Sequence, residues 1–147
     1  MRRGLALLAV VPLLSGLVAC GGDDTDAYCD AVKDHQKELS EIAASGDPDA
    51  MLQALDIFED LKDKAPSDIS DEWQQVVGSI EGLEQALDDA GVDPSTYDRD
   101  HPPADVTAQQ KQAIDDAAAT LGGEETLKAL QDLDQHARDV CHTPLSI

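Results

Sequence analysis

The sequence predicts an all-α protein: a bundle of four to five helices with one proline-rich crossover loop, closed by a disulfide between its N- and C-terminal helices. Three observations carry this. Apolar residues recur at three-and-four spacing along most of the chain, Gly and Pro punctuate those stretches at helix-length intervals, and no stretch alternates apolar with polar as a strand would.

From Asp26 to Ala44, residues Tyr28, Ala31, Val32, Leu39, Ile42 and Ala43 make one helical stripe, which Gly46 ends. Asp47-Pro48 is a start signal: a carboxylate can cap free amides, and proline sits where its missing N–H costs nothing. Met51, Ala54, Leu55, Phe58 and Leu61 form the second stripe, stopped at Ala65-Pro66. Ser70 is the expected cap of the third helix, with Asp71 and Glu72 at the positive end of its dipole. Its inward face is Trp73, Val76, Val77, Ile80, Leu83 and Leu87, and Gly91 followed by apolar Val92 predicts a Schellman ending. Residues 92–106 hold three prolines and no stripe. Thr107 with Gln110 predicts a capping box for the fourth helix, whose inward face is Ile114, Ala117, Ala118 and Leu121. Gly122-Gly123 breaks the chain, and a fifth helix over Glu124 to Val140 turns Leu127, Leu130, Leu133, Ala137 and Val140 inward.

The N-terminus reads as an address. Met1-Arg2-Arg3 is a charged leader start, Leu5 to Leu17 an apolar run, and Leu17-Val18-Ala19-Cys20 a lipobox, in which the cysteine thiol receives a diacylglycerol and the leader is cut just before it. The run to Ala19 is shorter than the roughly 20 residues of a membrane span. The expected organisation is therefore a signal peptide over 1–19, lipidated Cys20 with a flexible tether over 20–25, a helical domain over 26–142 and a tail over 143–147. Acyl chains contribute about 0.8 kcal/mol per buried methylene, which makes the lipid the membrane anchor.

With Cys20 assigned to lipid, Cys29 and Cys141 remain as an even pair in an oxidising compartment, and a bridge between them is expected. It would close a loop on the order of 100 residues and stabilise the fold by about 4 to 5 kcal/mol in the chain-entropy account. Zinc binding by Cys29, His35, His136 and Cys141 is the competing reading. At about 100° per residue, His35 points about 240° round its helix from Cys29, and His136 about 140° from Cys141, so the four do not converge. If the first three helices alternate in direction and both cysteine-bearing ends meet, residues 92–106 must return along the bundle; fifteen extended residues reach about 50 Å, against about 30 Å for a 20-residue helix.

The formal charge of −21, from 31 Asp plus Glu against 10 Lys plus Arg, excludes nucleic acid as a natural partner, since phosphates are bound by basic residues. Loss of Arg2 and Arg3 with the leader takes it to −23. Apolar residues make up 41%, enough for a core despite that charge. The sequence lacks G-x-S-x-G, a P-loop, a dinucleotide fingerprint, H-E-x-x-H and C-x-x-C-H. Asp93 to Asp100 lacks EF-hand spacing, and Asp56, Glu59, Asp60 and Asp63 read as a solvated helical face. The expectation is a non-enzyme with no metal site and no cofactor beyond the covalent lipid.

Long loops on rigid scaffolds concentrate binding residues. Tyr97, an aromatic among charges, is either a plug packing the loop onto the bundle or a contact residue; with Arg99 and His101 it forms the candidate partner-contact set. Trp73 lies in a helical stripe and reads as core. His35 shares a stripe with Tyr28, Val32, Leu39 and Ile42, which suits a hydrogen-bonded boundary histidine.

The chain is similar to a group of small lipoproteins of high-GC Gram-positive bacteria, the actinobacterial type. The residues that carry the resemblance are the lipobox, Tyr28-Cys29-Asp30-Ala31-Val32, Ala65-Pro66 through Asp71-Glu72-Trp73, Ala90-Gly91-Val92-Asp93-Pro94, and Ala137-Arg138-Asp139-Val140-Cys141. It implies export, lipidation and a helical, disulfide-closed ectodomain outside the cytoplasmic membrane, and it carries over no catalytic residues. The expected role is a lipid-anchored interaction module of the cell envelope, binding an envelope protein; the alternative is a receptor for a small ligand or cation.

Overall fold

The computed structural model describes residues 22–147. The leader and Cys20 lie outside the described residues. Six helices run in the order α1 (Gly22–Ser45), α2 (Ala50–Gln53), α3 (Leu55–Lys64), α4 (Ser70–Ala90), α5 (Ala108–Leu121) and α6 (Glu124–Val140) among the described residues, which hold no strand. The protein is an all-α bundle, and Cys29 is bonded to Cys141 with 5.0 Å between their Cα atoms.

Helix α1 begins at Gly22, so it takes in most of the stretch expected as tether. Exposed Asp24 and Asp26 in its first turns suit the positive end of the dipole. The expected second helix is present with a one-residue interruption at Ala54, whose backbone stays near helical values (φ −84°, ψ −5°). Its start differs in detail from the Asp47 cap. Asp49 is the capping position without a side-chain cap bond, and Asp47 serves through its backbone carbonyl, which accepts from Ala50 N at 3.2 Å. Likewise Ser70 is the first residue of α4, its Oγ donating back to Ser67 O, while buried Ile69 takes the cap position. Burial of an isoleucine against the core sets that helix start in place of a polar cap.

The other two signals appear as expected. Gly91 has φ 67°, with Gly91 N donating to Asp88 O and Val92 N to Leu87 O, the two bonds of a Schellman ending. Thr107 Oγ1 accepts from Gln110 N at 3.2 Å, and Gln110 Oε1 accepts from Thr107 N at 2.9 Å, completing the capping box.

The course of the long loop departs from the expected crossing. Gln110 Nε2 donates to Asp89 O at 2.8 Å, so α5 starts beside the end of α4. Thr126, early in α6, bonds Ser79 at mid-α4, and His136, late in α6, faces Asp68 just before α4. Helices α5 and α6 therefore both run antiparallel to α4, one after the other, jointed at Gly122-Gly123. A Cβ on Gly123 would stand 3.0 Å from Thr120 O and 3.2 Å from Ala119 O, so a larger residue at this joint would push the α5 carbonyls aside by a few tenths of an ångström. Two short helices in series against one long one bring Cys141 back to Cys29 without a crossing. Residues 92–106 instead fold into turns over the far end of the bundle.

The core joins α1, α3, α4 and α6 through Tyr28, Val32, Phe58, Trp73, Ile80 and Leu133, all fully buried. Trp73 Nε1 donates to Tyr28 Oη at 3.3 Å, and desolvation pushes the Tyr28 hydroxyl up to about 12. The expected face of α6 is partly revised: Leu133 and Ala137 are buried and Leu130 packs against the core as expected, joined by Thr126 and Ala129, whereas Leu127 and Val140 are exposed. Leu127 lies about 120° from Leu133 at 100° per residue, outside the narrow contact stripe; Val140 is in register but stands at the helix end. The expected tail is also partly core. Leu145 is fully buried, and its N–H donates to Asp134 Oδ1 at 3.0 Å.

Candidate binding site under the long loop

The loop is built by two aspartates acting as backbone acceptors. Asp93 Oδ1 accepts from Ser95 N at 2.9 Å and Ser95 Oγ at 2.6 Å, and Asp98 Oδ1 accepts from Asp100 N at 2.9 Å. The Ser95 hydroxyl and amide hold the Asp93 carboxyl below its ordinary value, and His101 with the Asp100 amide does the same for Asp98.

Folded this way, the loop roofs an apolar cleft of about 230 Å³. Its floor and walls are Leu52 from α2, Leu83 and Leu87 from α4, and Ile114 and Ala118 from α5; Tyr97, Arg99 and Asp49 stand around it. Leu87 and Ile114 are buried but belong to a satellite of the main core, so the cleft lies between the body of the bundle and this smaller packed unit.

Of the three candidate contact residues, the structure brings two together. Tyr97 is half-buried and walls both this cleft and a neighbouring cavity of about 180 Å³ beside Pro103 and Asp105. Its ring packs the loop down while its hydroxyl, shielded from solvent, has no hydrogen-bond partner. Arg99 lines the same cleft. Its Nε donates to Asp115 Oδ1 at 3.2 Å, and Lys111 Nζ donates to Asp115 Oδ2 at 2.7 Å, so one carboxylate, held low by Lys111 first and then Arg99, pins loop to helix. The terminal guanidinium nitrogens of Arg99 have no acceptor among the described residues. His101 stands apart: it is 85% exposed and hydrogen-bonded to Asp98 Oδ2 at 3.0 Å. Sequence reasoning missed Leu52 and Asp49, because nothing in the chain order signals that α2 folds up beside the loop.

Elsewhere among the described residues, buried polar side-chain atoms are paired except His136 Nδ1, which has no hydrogen-bond partner. Gln75, Ser79 and Thr126 form a closed network at the α4–α6 contact, with Thr126 Oγ1 donating to Thr120 O at 2.9 Å. A broader polar depression of about 400 Å³ over Gln74, Gly78 and Thr120 adjoins it. His35 Nε2 donates to Asp60 Oδ2 at 3.1 Å, as a boundary histidine should. His136 packs edge-on against Tyr28 with centroids 5.8 Å apart. Among the described residues no group of three or more His, Cys, Asp or Glu is placed to hold a metal ion, and no helix is long and apolar enough to cross a membrane.

No protein-family model, no curated protein and no solved structure matches this chain.

The cleft offers no nucleophile beside a base. What it offers is an apolar recess with the exposed guanidinium of Arg99 at its lining.

Proposed function

We propose that this protein is a lipid-anchored, extracytoplasmic, non-enzymatic interaction module of the cell envelope, of the small actinobacterial lipoprotein type, which presents the loop-covered cleft to a protein partner. The observation that supports it best is the position of the cleft. It lies among residues that follow the C-terminal ends of α1 and α4, whereas the disulfide and the start of α1 are at the opposite end. Twenty-four residues of α1 span about 36 Å at 1.5 Å per residue. A chain tethered through Cys20 would thus hold the cleft away from the bilayer, and its acidic body would be repelled by anionic headgroups.

The size of the cleft favours a protein partner over a small-molecule receptor. Pockets that enclose a whole ligand run to roughly 300–1,000 Å³, and this one measures about 230 Å³.

Two measurements test the reading in the producing cells. Cys20→Ala should move the protein from the membrane fraction to the soluble extracytoplasmic fraction; retention in the membrane would remove the anchor. A photoreactive benzoylphenylalanine in place of Arg99 should cross-link one discrete envelope protein, while the same group in place of exposed Lys33 on α1 should not. Identical or absent products from both positions would defeat the proposal.

A further inference from the structure

We infer that the cleft is an anchor pocket for a single large apolar or aromatic side chain, carried on a basic, extended segment of the partner. This rests on the interaction-module reading and names the chemistry of its partner.

Size comes first. A cavity of about 150 Å³ lined by Leu, Ile and Phe accepts benzene, so about 230 Å³ accommodates one ring or branched side chain and little more. The floor is aliphatic, from Leu52, Leu83, Leu87, Ile114 and Ala118, and provides no polar partner for an occupant. Interfaces concentrate their energy in such sites, where one large side chain fills a desolvated recess.

Hydrogen bonding gives the form of the segment. The terminal N–H groups of Arg99, which lines the recess and is largely exposed, are reachable donors without a protein acceptor among the described residues. Main-chain carbonyls flanking an inserted side chain in an extended peptide are acceptors in the right supply, and none of them carries charge.

Charge selects the rest of the segment. Asp49 lines the cleft, Asp93 and Asp105 line the adjoining cavity across Tyr97, and Asp98 and Asp100 stand on the same loop. Asp93 and Asp98 are held ionised by the turns they cap. Arg99 and Lys111 oppose them, but both are drawn onto Asp115. The mouth is therefore acidic on a chain of formal charge −21, a field that repels a free carboxylate or phosphate and steers Lys and Arg toward the rim.

The test is to pan a displayed library of random linear peptides against the full chain in detergent micelles. Enriched peptides should share one Trp, Phe, Leu or Met flanked by Lys or Arg. Replacing that residue by Ala should weaken binding about tenfold or more, and raising salt from about 50 to about 500 mM should weaken it by a similar factor. Ala118→Phe, which fills the recess from α5, should abolish binding with its thermal unfolding midpoint retained; Arg99→Ala, which also removes the loop's ion pair with Asp115, should weaken binding. The inference is overturned by enrichment of neutral or acidic peptides, by binding that survives Ala118→Phe in a folded variant, or by no enrichment over an unrelated acidic protein. If any of these occurs while the group at position 99 still cross-links a protein, the module stands and only the partner chemistry is wrong. If the cross-link fails as well, both fall.

Discussion

Tyr97 separates packing from hydrogen bonding at a single residue. Its ring walls the cleft, and its hydroxyl is shielded without a partner, a condition that costs about 1–3 kcal/mol where a buried polar group is left unmade. Tyr97→Phe should therefore leave stability unchanged or raise it by up to about 1 kcal/mol, whereas Tyr97→Ala should lower it by about 2 kcal/mol, less than a fully buried ring loses. Urea unfolding of both variants checks this; a loss in the Phe variant would mean the hydroxyl is satisfied. The loop aspartates give a second residue-scale prediction, in pH. Hydrogen bonds depress the Asp93 and Asp98 carboxyls below the ordinary 3.8. Their stabilisation is thus fully present above that value and is lost as pH falls through the lower folded values. The thermal midpoint should drop on acidification from about pH 4 to about pH 2, and Asp93→Asn should show a smaller drop over the same window. Parallel curves would show that Asp93 contributes nothing.

At the scale of elements, signals that depend on one residue's backbone geometry were legible, and those that depend on tertiary contact were not. Gly91 and the Thr107–Gln110 pair define their helix ends locally, so the chain alone reveals them. Ser70 and Asp47 are equally good caps in isolation, yet Ile69 and Asp49 occupy the cap positions, because burial of Ile69 outweighs one exposed hydrogen bond. The stripe of α6 holds at Leu130, Leu133 and Ala137 but misses Thr126 for a similar reason: that residue is polar by composition but is buried once Gln75, Ser79 and the Thr120 carbonyl satisfy it. Gly91 makes the legible case testable. An L-residue in the left-handed region is strained by about 1–2 kcal/mol, and no neighbour within 4 Å would clash with an added Cβ. Gly91→Ala should therefore destabilise the protein by about 1 kcal/mol through backbone strain alone, with Gly91→Asn less costly; equal stability of the Ala variant would mean the turn relaxes.

For the whole molecule, the sequence constrained the end points and left the path open. Meeting of the chain ends at Cys29 and Cys141 was readable from the two cysteines left once Cys20 is set aside for lipid, but five alternating helices can satisfy it only with a crossing, whereas α5 and α6 in series satisfy it with a two-glycine joint. Helix direction is set by packing partners, and a single sequence does not reveal these. The long loop and its isolated aromatic Tyr97 stand out in the chain because both are local features. The cleft floor does not, because it is assembled from α2, α4 and α5. The topology also determines what the disulfide does. It ties the first helix to the last across a sequence separation of 112, and both cysteines are nearly buried. Closing so long a loop removes about 4 to 5 kcal/mol of unfolded-state entropy, a large fraction of the roughly 5–15 kcal/mol typical of a domain. The charge of −21 raises the stakes, since mutual repulsion of the acidic faces already works against compaction. The double variant Cys29→Ala, Cys141→Ala should accordingly lose about 4 kcal/mol by chemical denaturation and recover part of that loss at high salt, where the repulsion is screened. Unchanged stability would show that the helical contacts suffice without the bridge; a loss that salt deepens would show that ion pairs such as Lys37–Glu41 and Arg138–Asp134, and not repulsion, dominate the surface.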